Sequence, residues 1–276
     1  MIDIDTSHRR KLLFMSSIAF FSLTIYFRFL SHKSNIQRGI VFTEKPPPPS
    51  IGGFYHFATV ANPWKSIVIE QMSLAHLSGL IDVSSSIYVT GLGNIEQNKS
   101  IYDIFTNSKF FYDYNNKTHE YEYPTLKKLE RFCLRNNESL VWYAHSKGAS
   151  HTTDLLVLWR TVMNHFVLDK WRLCHGLLSS TNYTTCGSIL TFDSVRKAGW
   201  NTYYAGNMWW AKCSHINRLT RIEKLDQNDR YMAELYVTSE PDVGHFNCYF
   251  TNPHEAFEFR KDTASCTVNQ PLWKVR

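Results

Sequence analysis

From Phe54 onward, short apolar runs alternate with segments whose apolar positions recur every three or four residues, and a much longer apolar run lies ahead of them. FYHFATVA (Phe54–Ala61) reads as a first strand, ended by Asn62-Pro63-Trp64, and Lys65–Leu80 carries Ile67, Ile69, Met72, Leu74, Leu77 and Leu80 at helical spacing. Ser86–Thr90 predicts a second strand running into the turn GLG. A helix starts near Pro124, a residue suited to a first turn, and SLVWYA is a short apolar strand. Thr153–Leu178 predicts one long helix, GSILTF a strand, YYAGNMWWA a strand and turn, SHINRLTRIEKL a helix and Arg230–Val237 a shorter one; from Ser239 the pattern is irregular. Strand and helix signals in alternation argue for an α/β fold around a mostly parallel central sheet.

The long run, residues 12–30, changes the picture from a globular chain to an anchored one. As a helix its uncharged core would span roughly 24 Å, and Arg28 can snorkel to the interface, so the run just crosses a bilayer. Tyr26, Phe27 and Phe29 stand where a signal-peptide cleavage site needs small residues, which favours an uncleaved signal anchor over a removed leader. Basic residues flank the run on both sides, so charge alone gives only a lean in orientation. The four N-x-S/T acceptors, Asn98, Asn116, Asn137 and Asn182, all follow it, as do all six cysteines, an even number that suits an oxidising compartment; buried free thiols are the alternative. The expected organisation is a cytosolic tail (1–11), a signal-anchor transmembrane helix (12–30), a Pro-rich stem (31–53) with Pro46–Pro49 extended and Gly52–Gly53 as a joint, and a luminal body (54–276), in a single-pass type II protein of the Golgi or ER membrane.

The formal charge of +6 is modest and its basic residues are interspersed with acidic ones, which argues against a nucleic-acid partner while fitting a ligand that bears phosphate. Ligands of open α/β sheets bind beyond the carboxyl ends of the strands. Two segments are expected there. VWYAHSKG delivers His145 and Lys147, with Gly148 permitting close backbone approach; a lysine can meet a diphosphate and an imidazole can donate to one, although a solvated turn has the same composition. YYAGNMWWAK places Gly206 and Asn207 among aromatic residues. An Asn amide beside an indole such as Trp209 makes a sugar surface, while paired tryptophans such as Trp209 and Trp210 are more often core than ligand platform, so one of the two is expected to be packed. Glu234 in RYMAEL is the candidate carboxylate on a late helix, with a helix-face charge near Arg230 as the alternative.

The segments EQMSLAHLSGL, IYVTG, YEYPTLKKLERF, VWYAHSKG, LWRTVM, YYAGNMWWAK and RYMAELYV resemble, in that order, a group of glycosyltransferase-like proteins with an H-T-K-G strand end and a later S-G-N-F-W-W-A segment. A weaker similarity is to rhamnan-synthesis glycosyltransferases, which carry H-T-K-K. The first match falls on His145, Ser146, Lys147 and Gly148, the second on Ala205 through Ala211, with Ala205 in place of Ser and Met208 in place of Phe. The resemblance implies a GT-A-like, Rossmann-like domain that takes a nucleotide-sugar donor near its first strands and a glycan or glycoprotein acceptor near its later ones.

GT-A enzymes commonly hold a divalent metal such as Mn through a D-x-D, and the body from Phe54 on contains none. Lys147 then supplies the cation, or else Glu240, Asp242 and His245 in SEPDVGH form a late metal site. The expected reaction is glycosyl transfer to a hydroxyl, with Lys147 and His145 meeting leaving-group charge and Glu234 taking the acceptor proton. Two other classes stay open: a luminal lectin or scaffold on the same fold without turnover, and a sulfotransferase, against which stands Pro63 in the loop where backbone donors would be needed.

Overall fold

The computed structural model describes residues 50–60, 63–146, 153–192, 202–240 and 244–248. The expected anchor at 12–30, nearly all of the stem, Lys147, Gly148, Asp242 and Cys266 lie outside the described residues. Among the described residues no helix is long and apolar enough to cross a membrane.

The fold is α/β. In chain order it runs β1 (Ile51–Thr59), α1 (Trp64–Leu77), α2 (Leu80–Val83), β2 (Ser86–Gly93), α3 (Ile95–Lys99), β3 (Phe110–Asn115), α4 (Tyr123–Arg135), β4 (Leu140–His145), α5 (Asp154–Asn164), α6 (Arg172–Ser180), β5 (Thr185–Gly187), β6 (Leu190–Phe192), β7 (Thr202–Tyr204), β8 (Trp209–Lys212), α7 (Cys213–Ile216), α8 (Arg230–Leu235) and β9 (His245–Asn247). Seven strands form one sheet in the order β3-β2-β1-β4-β8-β5-β9, while β6 and β7 make a separate antiparallel pair. Within the large sheet β1 to β4 are mutually parallel, β8 runs antiparallel to both β4 and β5, and β9 is parallel to β5.

Side-chain alternation along the central strands sorts the core into two faces. Ile51, Tyr55, Phe57, Leu140, Trp142 and Ala144 point to the face covered by α1 and the segment 162–178. Phe54, Val141 and Tyr143 point to the other, covered by α4 and by residues 213–237. The helices thus lie on both sides of a sheet whose middle strands are buried throughout, which is why β1 and β4 read as continuous apolar runs.

Several expected boundaries shift for local reasons. Gly52 and Gly53 belong to β1 rather than to the stem, because the neighbouring aromatic rings need their emptiness: a Cβ on Gly53 would stand 2.7 Å from Trp142 Cε2, and one on Gly52 2.8 Å from Phe132 Cε1. The first helix ends just before Gly79, which takes φ 77°. The long helix expected over 153–178 is broken: α5 passes into a wider π turn at His165–Asp169 before α6 resumes. SHINRLTRIEKL holds only the single turn of α7 and a 3-10 turn at Ile222–Lys224. Residues 110–115 and 245–247, which carried no clear signal, are β3 and β9, both at sheet edges where pairing on one side suffices.

Two disulfides tie the layers together. Cys133 at the end of α4 bonds Cys213 at the start of α7, and Cys174 in α6 bonds Cys186 in β5. Cys248 is also disulfide-bonded, and no described cysteine is free.

Candidate functional site

The strand order turns at β1: β2 and β3 lie on one side of it and β4 on the other, so the crevice between the carboxyl ends of β1 and β4 is the switch point at which open α/β sheets bind ligands. His56 of β1 and His145 of β4 are register partners at that place. The alternation that sends Phe54, Val141 and Tyr143 toward α4 sends these two histidines the same way, and α4, running back along the sheet, presents its N-terminal end to them.

Glu122 stands at the N-cap of α4, yet its side chain caps nothing and turns instead into the crevice. Oε1 lies 3.2 Å from His145 Nδ1, Oε2 accepts from the Tyr143 hydroxyl at 2.7 Å, and the Asn207 amide also donates to Oε2. His145 Nε2 donates to the Gly206 carbonyl at 2.6 Å. Both imidazole nitrogens therefore face acceptor oxygens. The pair is withdrawn from solvent, with side chains 12% exposed for His145 and 14% for Glu122.

Burial is the largest single influence on Glu122 and acts to raise its pKa. The charge and hydrogen bond of His145, together with His56 and the Tyr143 hydroxyl, outweigh it and hold the carboxyl at about 2. Burial acts unopposed enough on His56 to bring it down to about 4, and its Nδ1 lies 2.9 Å from Thr125 Oγ1 of α4. Burial, then Glu122 and Glu234, push the Tyr143 phenol well above its ordinary value. The backbone end of β4 is fixed as well: Gln71 of α1 donates to the His145 carbonyl at 3.0 Å and to Asn164 Oδ1 at 2.9 Å, while its own Oε1 accepts from Tyr55 at 2.6 Å.

The residues expected to face an acceptor sugar are brought together here, but turned inward. Gly206 at φ 90° and Asn207 at φ 51° make a tight turn that closes with Asn207 N donating to the Tyr204 carbonyl. Asn207 is fully buried; its amide nitrogen serves Glu122 and the Ala233 carbonyl, and its oxygen accepts from Trp209 Nε1 at 2.7 Å. With donor and acceptor both spent, Asn207 is a strut rather than a sugar ligand. Trp209 is likewise buried, stacked on Tyr143 with centroids 5.2 Å apart, so it belongs to the core and is not a platform. His145 is engaged through both nitrogens and shapes the strand end rather than reaching out to a phosphate. Glu234 sits half-buried on α8, next to the Ala233 carbonyl that holds Asn207, and its charge is felt at Tyr143.

Of the late acidic turn, Asp242 lies outside the described residues, while Glu240 and His245 are described. His245 Nδ1 lies 2.7 Å from Thr185 Oγ1, and its Nε2 meets the backbone oxygen of Glu240, not the carboxylate. The described ligand-type group within reach of a metal is Cys174, Cys186 and Cys248, and all three sulfurs are already in disulfides. Of the expected glycan acceptors, Asn116, Asn137 and Asn182 are exposed. Asn98 is not: it is fully buried, donating to the Asn94 carbonyl and accepting from the Tyr112 hydroxyl, so the packing leaves no room for a glycan on it.

Sequence reasoning missed Glu122, Tyr143, His56 and Gln71. Glu122 was in principle legible, because it directly precedes a predicted helix start, and in a parallel α/β unit that start lies at the carboxyl edge of the sheet.

A family model described as Domain of unknown function (DUF8361) matches residues 54–256. The chain belongs to this family. The matched span of DUF8361 contains every residue of the crevice described above. No curated protein matches the chain. Among solved structures, the crystal structure of 4-diphosphocytidyl-2C-methyl-D-erythritol synthase is similar at 9% identity, covering 78% of this chain and 97% of that chain with a TM-score of 0.36. At that score the likeness carries no argument about the chemistry of the DUF8361 crevice.

Proposed function

We propose that this chain is a nucleotide-sugar-dependent glycosyltransferase acting on a hydroxyl of a glycan or glycoprotein, held in the Golgi or ER membrane as a single-pass type II protein with its body in the lumen. The observation that carries the reading is the largely buried Glu122–His145 contact at the β1/β4 switch point, two positions ahead of Lys147 in the sequence. Gln71, Glu122 and Asn207 fix this strand end, so a donor diphosphate bound beyond it would meet a site already ordered up to His145, with Lys147 as the cation that the sequence offers next. Glu234, on the helix that touches the same cluster, is the carboxylate that takes the acceptor proton. The described disulfides support the luminal assignment, since such bonds persist in oxidising compartments.

One observation favours the alternative of a sugar-binding or scaffold protein without turnover: Asn207, His145 and Trp209 spend their polar groups on one another rather than leaving them open. Donor hydrolysis measured across a panel of nucleotide sugars decides between the two. Turnover of one donor, with release of the nucleoside diphosphate, is the expected result; saturable binding of donor with no hydrolysis and no transfer to any acceptor would leave the scaffold reading standing.

A further inference from the structure

A second depression, lined by none of the residues of the crevice described above, lies against β2, β3 and the C-terminal half of α4. It encloses about 520 Å³, within the range of small-ligand sites, and is lined by Tyr88, Phe111, Phe132, Lys128, Arg131 and Arg135. The three basic residues are spaced i, i+3 and i+7, so they form one stripe along α4. Lys128 is engaged, donating to Thr90 Oγ1 and to the Asp113 carboxylate. Arg131 and Arg135 make no ion pair and no side-chain hydrogen bond among the described residues. The one carboxylate lining the depression is thus already neutralised, and two guanidiniums remain unmatched.

The floor is a stack of rings. Phe54 and Tyr88 lie 5.2 Å apart at 10°, Tyr88 and Phe111 5.1 Å apart at 19°, and the outermost ring, Phe111, is 52% exposed on an edge strand. A free ring at the end of a stack accepts one more flat face, and a guanidinium beside it accepts a carboxylate or sulfate in a bidentate pair.

We propose that this depression binds an anionic sugar, a uronate or a sulfated hexose, whose ring lies on Phe111 while its acid group meets Arg131 and Arg135. Charge complementarity selects the acid, and the open ring face selects a cyclic ligand over an extended anionic chain. The site is separate from the crevice at the β1/β4 switch point and does not depend on the transfer reading.

The test is titration of the full-length chain with a sulfated hexuronate tetrasaccharide, with neutral maltotetraose and with uridine diphosphate, repeated on Phe111→Ala and on the double variant R131Q/R135Q. Both changes are at exposed positions, and near-ultraviolet circular dichroism checks that the fold is kept. The expected result is salt-sensitive binding of the acidic tetrasaccharide, weakened about tenfold or more by either variant, with maltotetraose weaker than the acidic sugar in the parent chain. Equal binding of maltotetraose, or unchanged affinity in R131Q/R135Q, would overturn the acid assignment. A loss confined to R131Q/R135Q with Phe111→Ala unchanged would reduce the site to a general polyanion patch, and displacement of the tetrasaccharide by uridine diphosphate would assign it to a nucleotide instead; either outcome sinks the proposal.

Discussion

Glu122 Oε1 lies 3.2 Å from His145 Nδ1, joining the N-cap residue of a helix to the last residue of the strand that follows it. The contact closes one βα unit onto the next at the place where the sheet changes direction. It also explains why a carboxylate at a helix N-terminus, already favoured by the helix dipole, is turned away from capping.

Replacing Glu122 by Gln removes the charge that answers His145 and sets one amide against another at Asn207. The variant is expected to lose about 3 kcal/mol of stability, typical of breaking one partner of a buried pair, read as a lower urea midpoint with an unchanged slope. A loss below about 0.5 kcal/mol would place the pair among surface ion pairs of little consequence.

Acid should unfold this body in two stages. His56, His215 and His245 are held near 4 chiefly by burial, below the ordinary histidine value. Between about pH 6.5 and 4 the unfolded chain therefore binds more protons, and stability falls as pH falls. Glu122, held at about 2 in the folded chain, adds a second loss between about pH 4.3 and 2, where the unfolded carboxyl protonates first. Denaturation midpoints measured across pH 3–8 should decline from neutral toward acid, with the slope between pH 6.5 and 4 reduced in His56→Gln. A midpoint independent of pH over that range contradicts the neutral burial of these rings.

Asn98 is expected to be a structural residue despite its sequon. Asn98→Ala removes the side-chain bonds to the Asn94 carbonyl and from the Tyr112 hydroxyl, while the backbone N–H and carbonyl of residue 98 still serve both groups, and should cost about 1 kcal/mol. Peptide mapping of protein from a secretory host should find Asn98 unmodified, with any glycans on Asn116, Asn137 or Asn182. A glycan on Asn98 in folded protein would contradict its burial.

Gly53→Ala sets a methyl group against the Trp142 indole, with Ile87 Cγ1 3.0 Å away on the other side. Overpacking of this kind costs about 1–3 kcal/mol, and the same change at half-buried Gly176 of α6 serves as the control that should be neutral or stabilising. Thermal denaturation of the two variants side by side gives the comparison.

Lys147 and Glu234 should separate binding from chemistry. Lys147→Ala is expected to weaken nucleotide diphosphate binding roughly ten- to a hundredfold, whereas Glu234→Gln should lower transfer by about 10²–10⁴ with donor affinity kept. Donor titrations and single-turnover transfer measure the two effects. Near-full transfer in Glu234→Gln would remove it as the base.

The alternation of apolar runs and helical periods was enough to determine an α/β chain with a mostly parallel sheet, because β1 and β4 are buried on both faces and advertise it in FYHFATVA and SLVWYA. The residue types at one sheet end were partly legible: His145, Gly206 and Asn207 do converge there, and the charge of Glu234 is felt at Tyr143 beside them. Their orientation was not. Whether Asn207 and Trp209 face a ligand or each other depends on φ at two turn residues and on a carboxylate 85 positions away, and such contacts leave no local signature. The same holds for Asn98, whose sequon is a three-residue pattern while its burial is set by Tyr112 on a neighbouring strand. Periodicity records which face of an element is apolar. Only the packing of one element on another decides which polar group meets which, and so which are spent within the fold and which remain for a ligand.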